Sequence, residues 1–407
     1  MAQAPHKHTT CKIRCGQCEH EYLLAFSCRA RWFCPACHEK KSVMFAEFMM
    51  GNVLNPVPHR QYVFSIPKML RVYFRYNRKL LTMLSRLAYE SMQEYIMAVL
   101  NKPKGELGVV LVIQTFGEYL NYHPHLHVVA ADGVFMPSGV FYVMPGKGIK
   151  PIEELFRNKV IKLLINEGVL GEELGKKMLK WRHSGFGVYK SKSIRSTDKV
   201  GLERICQYVA RNTFSTEKMM YNQETGKVIY RSKENVRTKR NFEIFEGAEF
   251  IAELTQHIPE KSFQLVRYYG WYSNKKRGMR KKLGLPHSGI AVLKENQDKV
   301  RVIDVSEYQP KGIASKKWRE LIKKIWEKDP LICPKCGSEM KIIALIDEKE
   351  VIEKILRHLN LWEEEPARAP PEAINTEVTY EPIYDDYQPG LSETEGFCPE
   401  EYPMHNQ

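Results

Sequence analysis

Three histidines fall within five residues in the segment Asn121-Tyr122-His123-Pro124-His125-Leu126-His127-Val128-Val129. In a strand, residues i and i+2 share a face. His125 and His127 therefore point together while Leu126 points into a core. Two imidazoles so placed can hold one divalent ion. Pro124 biases His123 toward an extended backbone, which lets His123 join them. The bland alternative is a set of histidines packed for structure.

Thiolates offer a second chemistry. Cys15-Gly-Gln-Cys18 is followed after 15 residues by Cys34-Pro-Ala-Cys37. Each C-x-x-C pair presents two soft ligands, and two pairs complete a tetrahedral zinc. Few apolar residues lie between the pairs, so the metal would supply the folding energy. Cys15, Cys18, Cys34 and Cys37 are the expected ligands, with Cys11, Cys28 and His38 as spare donors. Cys333-Pro-Lys-Cys336-Gly337 is half of a zinc ribbon with no second pair after it. It is either degenerate or borrows a ligand such as His358.

A phenol offers the third. Lys199–Asn212 has helical periodicity, with Leu202, Ile205, Cys206 and Val209 on its apolar face. Tyr208 lies at the margin of that face. Arg204 and Asn212 stand one turn to either side, and Arg211 flanks Tyr208 at i+3. Guanidinium groups there suit a phosphate. Spacing alone leaves open that Tyr208, one of 21 tyrosines, simply packs its ring against a core.

Charge narrows the partner. The chain has 407 residues, 62 Lys+Arg against 48 Asp+Glu, and a net charge of +14. Residues 363–407 hold 12 acidic residues and one arginine, which leaves +25 on the remainder. Such a body expects an anionic partner, nucleic acid first and a membrane surface second. Arg267, Tyr268, Tyr269, Trp271, Lys275, Lys276 and Arg277 belong to a stretch where aromatics precede cations, the composition that tracks phosphates and stacks unpaired bases. Arg231, Lys233, Arg237, Lys239 and Arg240 add a second basic run. A half-buried strand followed by a solvated loop would have the same composition. No apolar run reaches the ~18 residues that span a bilayer, and the first residues lack a secretory h-region. A cytoplasmic location with no membrane partner is expected, where close-set cysteines bind metal rather than pair.

The elements that must position these groups follow from pattern. Gln61–Ile66 reads as a strand, 69–100 as one or two helices, Leu107–Phe116 and His123–Ala131 as strands, and Pro151–Leu179 as helix. Lys199–Phe214, 247–257 and Lys316–Trp326 read as helices, and 340–361 as a small βα unit. This order suggests an α+β fold, an antiparallel sheet with helices on one face. The Pro/Glu/Tyr-rich tail 363–407 reads as disordered.

His-hydrophobe-His on a strand is the signature of the HUH nucleases. Together with Phe26–Cys37, Ser65–Arg71, Gln114-Thr-Phe-Gly117 and His257-Ile-Pro…Arg267-Tyr-Tyr-Gly270, it resembles the rolling-circle transposases of bacterial insertion-sequence family ninety-one. The resemblance runs from about Cys11 to Leu361. It implies a zinc-binding head (1–55), an HUH-type catalytic domain (56–290), an extension with the half ribbon (291–362) and the acidic tail. It also implies Tyr208 as nucleophile and a catalytic Mg or Mn on His125 and His127. The substrate would be single-stranded DNA at transposon ends, nicked and rejoined through a 5′-phosphotyrosine. Many members carry a second tyrosine four residues on. Asn212 stands there in this chain, so it and Gln114 are rival third metal ligands. A rolling-circle replication initiator is the nearest enzymatic alternative, and no Walker P-loop supplies a helicase. A non-catalytic zinc-dependent DNA-binding regulator would leave the histidines idle, and a zinc hydrolase of small molecules would leave the charge unexplained.

Overall fold

The computed structural model describes residues 10–25, 32–232, 241–282, 292–295, 301–306, 308, 318–346 and 348–358. The acidic tail, Cys28, and Lys233, Arg237, Lys239 and Arg240 of the second basic run lie outside the described residues. In chain order the first elements are β1 (Thr10–Cys15), β2 (Glu21–Ala25), α1 (Pro35–Phe48), β3 (His59–Ser65), α2 (Arg71–Tyr76), α3 (Lys79–Leu100), β4 (Gly108–Phe116) and β5 (Tyr122–Ala131). Next come β6 (Gly133–Phe135), β7 (Val140–Val143), α4 (Lys150–Asn166), α5 (Glu172–Lys180), β8 (Gly187–Lys190) and α6 (Lys199–Val209). After these lie β9 (Met219–Tyr221), β10 (Lys227–Arg231), β11 (Phe242–Glu246), α7 (Gly247–Thr255), β12 (Val266–Gly270) and α8 (Asn274–Lys282). The last are β13 (Val292–Glu295), β14 (Arg301–Asp304), α9 (Trp318–Trp326), β15 (Met340–Ile346) and α10 (Lys349–His358).

The fold is α+β with antiparallel sheets, and it divides into two compact units. The larger is Arg29–Pro330. Its central sheet has the order β12-β4-β5-β3-β8, every neighbour antiparallel. Alternation sorts the side chains. Val109, Leu111, Ile113, Leu126, Val128, Ala130, Tyr62 and Phe64 join the apolar faces of α3 and α4 in one core. Val110, Val112, Val129 and Ala131 pack with Ile205, Cys206 and Val209 of α6 and with Ala46 of α1 in another. The sheet thus carries helices on both faces rather than one. The cause lies in β4 and β5, which are apolar on both sides and need cover on both. A four-stranded sheet (β13-β14-β7-β6) and a three-stranded one (β11-β10-β9) complete the sheets of this unit.

The smaller unit joins the two ends of the described chain. β1 is the middle strand of β15-β1-β2, with Thr10 opposite Ile346 and Cys15 opposite Met340. At the N-terminal end only residues before Arg29 belong to it, so the expected 1–55 head is divided: α1 and the residues after it, as far as Pro330, belong to the larger unit. The physical reason is the antiparallel ladder with β15, which supplies the partner a short N-terminal hairpin lacks.

Candidate metal and nucleophile site

The sheet register assembles the first site. Gln114 on β4, His125 on β5 and Ser65 on β3 form one rung; Val112, His127 and Val63 form the next. His125 and His127 share a face, as their spacing requires, and their Nε2 atoms are 3.1 Å apart. His125 Nδ1 lies 2.8 Å from the His123 carbonyl oxygen and must donate to it, which leaves Nε2 as a bare lone pair. Two ligands at right angles around an ion at about 2.1 Å lie roughly 3 Å apart, so the pair suits an octahedral divalent cation. Gln114 Oε1 is buried without a protein partner, as a further oxygen ligand would be. His123 stacks obliquely on His125, ring centroids 5.2 Å apart. Among the described residues it does not form a three-donor cluster with the pair.

Tyr208 faces this pair. Its ring lies edge-on to His127, centroids 5.3 Å apart and planes at 88°. The guanidinium of Arg211 sits 4.8 Å from the Tyr208 ring centroid and 5.5 Å from that of Phe116. The helix ends earlier than its periodicity predicts. α6 stops at Val209, so Arg211 and Asn212 lie past its end rather than on its next turn. Side chains from elsewhere take the last carbonyls: Gln114 Nε2 donates to Val209 O at 2.9 Å, and His38 Nε2 reaches Ala210 O at 2.7 Å. Asn212 Oδ1 accepts from the Thr213 amide at 2.9 Å. Gln114 therefore holds the end of the tyrosine helix through one amide atom, while its other is buried without a protein partner. Arg204 is exposed on the helix.

A fourth histidine acts differently. Just before β5, Tyr119 and Leu120 adopt left-handed φ of 51° and 61°, a costly conformation for such side chains. His257 Nε2 donates to Leu120 O at 2.7 Å, and its Nδ1 lies 3.1 Å from Thr115 Oγ1. His257 thus clamps the turn that launches the histidine strand.

Burial drives His125 down to about 3 and His59, His123 and His257 to about 4, and holds His127 well below its ordinary range. Unfolded imidazoles titrate near 6.5. Below that pH the unfolded chain takes up protons that the folded chain refuses. Stability contributed by these groups is thus full above pH 6.5 and falls as pH drops toward 4, by up to about 1.4 kcal/mol per unit per histidine. Denaturant midpoints of metal-free protein are expected to fall steeply over that window. A flat profile would mean that the rings protonate inside the fold.

The basic–aromatic stretch proves to be divided between core and surface. Tyr269 stacks on Tyr89 at 5.0 Å and hydrogen-bonds Ser85 at 2.7 Å. Trp271 stacks on Phe135 at 4.8 Å, and the Arg280 guanidinium lies 4.2 Å from its ring centroid. Tyr268 meets the Arg277 guanidinium at 5.1 Å, and Arg267 bonds Thr82 at 2.9 Å. These rings serve packing, so the expectation of base stacking on Tyr269 and Trp271 is corrected. Lys275, Lys276, Lys281 and Lys282 remain exposed on α8.

The zinc ligand set also changes. The sulfurs of Cys15, Cys18, Cys333 and Cys336 all lie within 4.8 Å of one another. Cys15 to Cys336 and Cys18 to Cys333 are each 3.5 Å. Ligands at ~2.3 Å around a tetrahedral zinc stand about 3.8 Å apart, so the four fit one ion. The Ser338 hydroxyl and amide, with Cys18 and Cys15, pull the Cys336 thiol down to about 6, toward the thiolate. Gly337, at φ 73°, turns the second knuckle. The expected partners Cys34 and Cys37 belong to the larger unit, where Cys34 caps α1 and accepts the Cys37 amide at 3.5 Å. Cys333 and Cys336 are thus the second half of the ribbon begun by Cys15 and Cys18, and His358 is not needed.

Comparison with known proteins identifies two regions of this chain. Residues 108–279, which hold the histidines and Tyr208, match the family model described as "Putative transposase". Residues 5–66 match the "Transposase zinc-binding domain". The transposase for insertion sequence element IS801 of Pseudomonas savastanoi pv. phaseolicola is 24% identical over 84% of this chain and 80% of its own. "Putative transposase y4qJ" of Sinorhizobium fredii is 26% identical over 65% of this chain and 70% of its own. No solved structure matches significantly. Among the described residues no helix is long and apolar enough to cross a membrane. With a zinc-binding region at the start and a transposase region around the histidine strand, the chain is similar to the transposases of insertion-sequence elements, its function is that of a transposase, and its four-cysteine cluster suits a structural zinc.

Proposed function

We propose that this transposase nicks and rejoins single-stranded DNA at transposon ends, using Tyr208 as nucleophile and a divalent ion, Mg or Mn, on His125 and His127. The observation that carries the reading is the meeting of Tyr208 and His127 at 5.3 Å beside two converging Nε2 atoms. The ion, when bound, supplies a Lewis acid that draws charge from a phosphate oxygen. Tyr208 Oη forms a bond to phosphorus and the P–O3′ bond breaks. The proton lost by the phenol is balanced by the one gained at the departing 3′ oxygen. The 5′-phosphotyrosine keeps the bond energy, so attack by a 3′-hydroxyl reseals DNA without a nucleotide cofactor. Arg211, over the phenol, is placed to favour the phenolate and the phosphate together. Gln114 is the better third ligand than Asn212, because its free oxygen is buried at the His125 rung. The test is a labelled single-stranded oligonucleotide from a transposon end, incubated with Mn2+ and run under denaturing conditions. Covalent adducts support the reading, and binding without adducts refutes it.

Charge adds a second expectation. Each phosphate contact contributes a slope of about −0.7 in log K against log salt for single strands. Residues 363–407 carry a net −11 and compete for the same basic surface. Deleting them is expected to tighten binding several-fold at low salt. Unchanged affinity and slope in the deletion would remove the competition.

A further inference from the structure

We propose that Gln61 is a positioning residue for the histidine pair: the face its amide turns to His127 decides whether His127 Nε2 carries a proton or a bare lone pair. This rests on the metal reading above. Gln61 is buried on β3, and its side-chain amide lies 3.2 Å from His127 Nδ1. It stands opposite Val129, two residues along β5 from His127, and therefore on the same sheet face. Its backbone is fixed on both sides, the amide donating to Ser191 Oγ and the carbonyl accepting from the Ser191 amide, each at 3.0 Å.

The neighbouring ring makes this choice matter. His125 Nδ1 donates to the His123 carbonyl, so His125 Nε2 has only a lone pair. When the Gln61 NH2 group faces His127, Nδ1 accepts and the ring proton sits on Nε2. That proton then fills the 3.1 Å gap to His125 Nε2 as an ordinary hydrogen bond. The pair is closed and has no lone pair left for an ion. When Oε1 faces His127 instead, Nδ1 donates and both Nε2 atoms are bare. Two lone pairs at that distance repel each other and are stabilised by a cation between them. The change moves one proton from Nε2 to Nδ1 of the same ring and turns one amide by half a revolution. Net protonation is unchanged. Among the uncharged residues of this length, glutamine alone offers both faces, and its terminal torsion is soft.

The experiment titrates the full chain, with its structural zinc in place, with Mn2+ alone, and reads affinity by calorimetry. Gln61→Met keeps the volume and removes both amide faces. It is expected to weaken Mn2+ binding roughly 10–100-fold, as loss of an outer partner does at histidine metal sites. Gln61→Glu can only accept when ionised, so it holds Nδ1–H and is expected to bind Mn2+ at least as tightly as wild type. A generic packing role would predict that both variants lose affinity in step with stability, which thermal unfolding without Mn2+ monitors. Equal affinity in Gln61→Met, or weaker binding in Gln61→Glu, overturns the role of Gln61. His127→Ala, which removes a ligand outright, then still shows lost binding and leaves the metal reading intact. A wild-type chain that binds no Mn2+ overturns both.

Discussion

Tyr208→Phe is expected to abolish covalent protein–DNA adducts while the protein still folds and still binds single strands. The substitution removes one oxygen from a half-buried ring, so the change in stability should stay within about 1 kcal/mol, the worth of a single hydrogen bond. The packing of the ring against His127 and the Arg211 guanidinium survives, since both involve the ring itself. On the proposed mechanism no second tyrosine on this helix can take over, because the position four residues on is Asn212. Loss of a nucleophile of this type costs on the order of 10⁴–10⁶ in rate. The measurement is adduct yield with a labelled oligonucleotide, beside a filter-binding curve for the same protein. Adducts that persist would move the role elsewhere. Tyr221 and Tyr230 are the next candidates in the sequence, but Tyr230 is buried and its hydroxyl accepts from the Ser215 amide at 3.2 Å. Exposed Tyr221, on β9, would be tested first.

The histidine face was legible in the sequence because it depends only on strand alternation. His125 and His127 could not point apart once Leu126 and Val128 were committed to a core. The place of Tyr208 at the margin of an apolar helix face was legible for the same reason. The end of that helix was not. It is set by Gln114 and His38, far off in the chain, which satisfy the carbonyls of Val209 and Ala210. The aromatic stretch misled because a ring that packs on Tyr89 or Phe135 has the same composition as one that stacks on a base. Helices on both faces of the sheet were foreshadowed by Val109–Ile113, an unbroken apolar run that no one-sided sheet requires. Gln61 carried no signal at all, since a lone glutamine in a strand has meaning only through the cross-strand neighbour it reaches.

Cys333→Ser is expected to strip the zinc from the protein, whereas Cys34→Ser is expected to leave the ribbon zinc bound. Proximity in sequence favours pairing Cys15 and Cys18 with Cys34 and Cys37, whereas the structure groups them with Cys333 and Cys336. Cys15 ends a strand, and Cys333 begins a knuckle that runs into another strand; these two strands, β1 and β15, are hydrogen-bonded neighbours. Cys34-Pro-Ala-Cys37 instead opens a helix, with Pro35 at its first turn and the Cys34 sulfur spent on the Cys37 amide. The ribbon ligands stand more than 300 residues apart, with Cys15 and Cys336 separated by 321 positions. Zinc therefore closes a very long loop and ties the first strand to the last. A small unit with so few buried side chains depends on that ion, and structural zinc contributes apparent free energies of about 10–16 kcal/mol. Removing one thiolate should release the metal and unfold the β15-β1-β2 sheet, while the histidine site in the other unit keeps its affinity for Mn2+. Zinc per chain, measured by elemental analysis after dialysis, separates the two pairings. Near zero for Cys333→Ser with one full equivalent for Cys34→Ser supports the ribbon. The reverse pattern restores the N-terminal set.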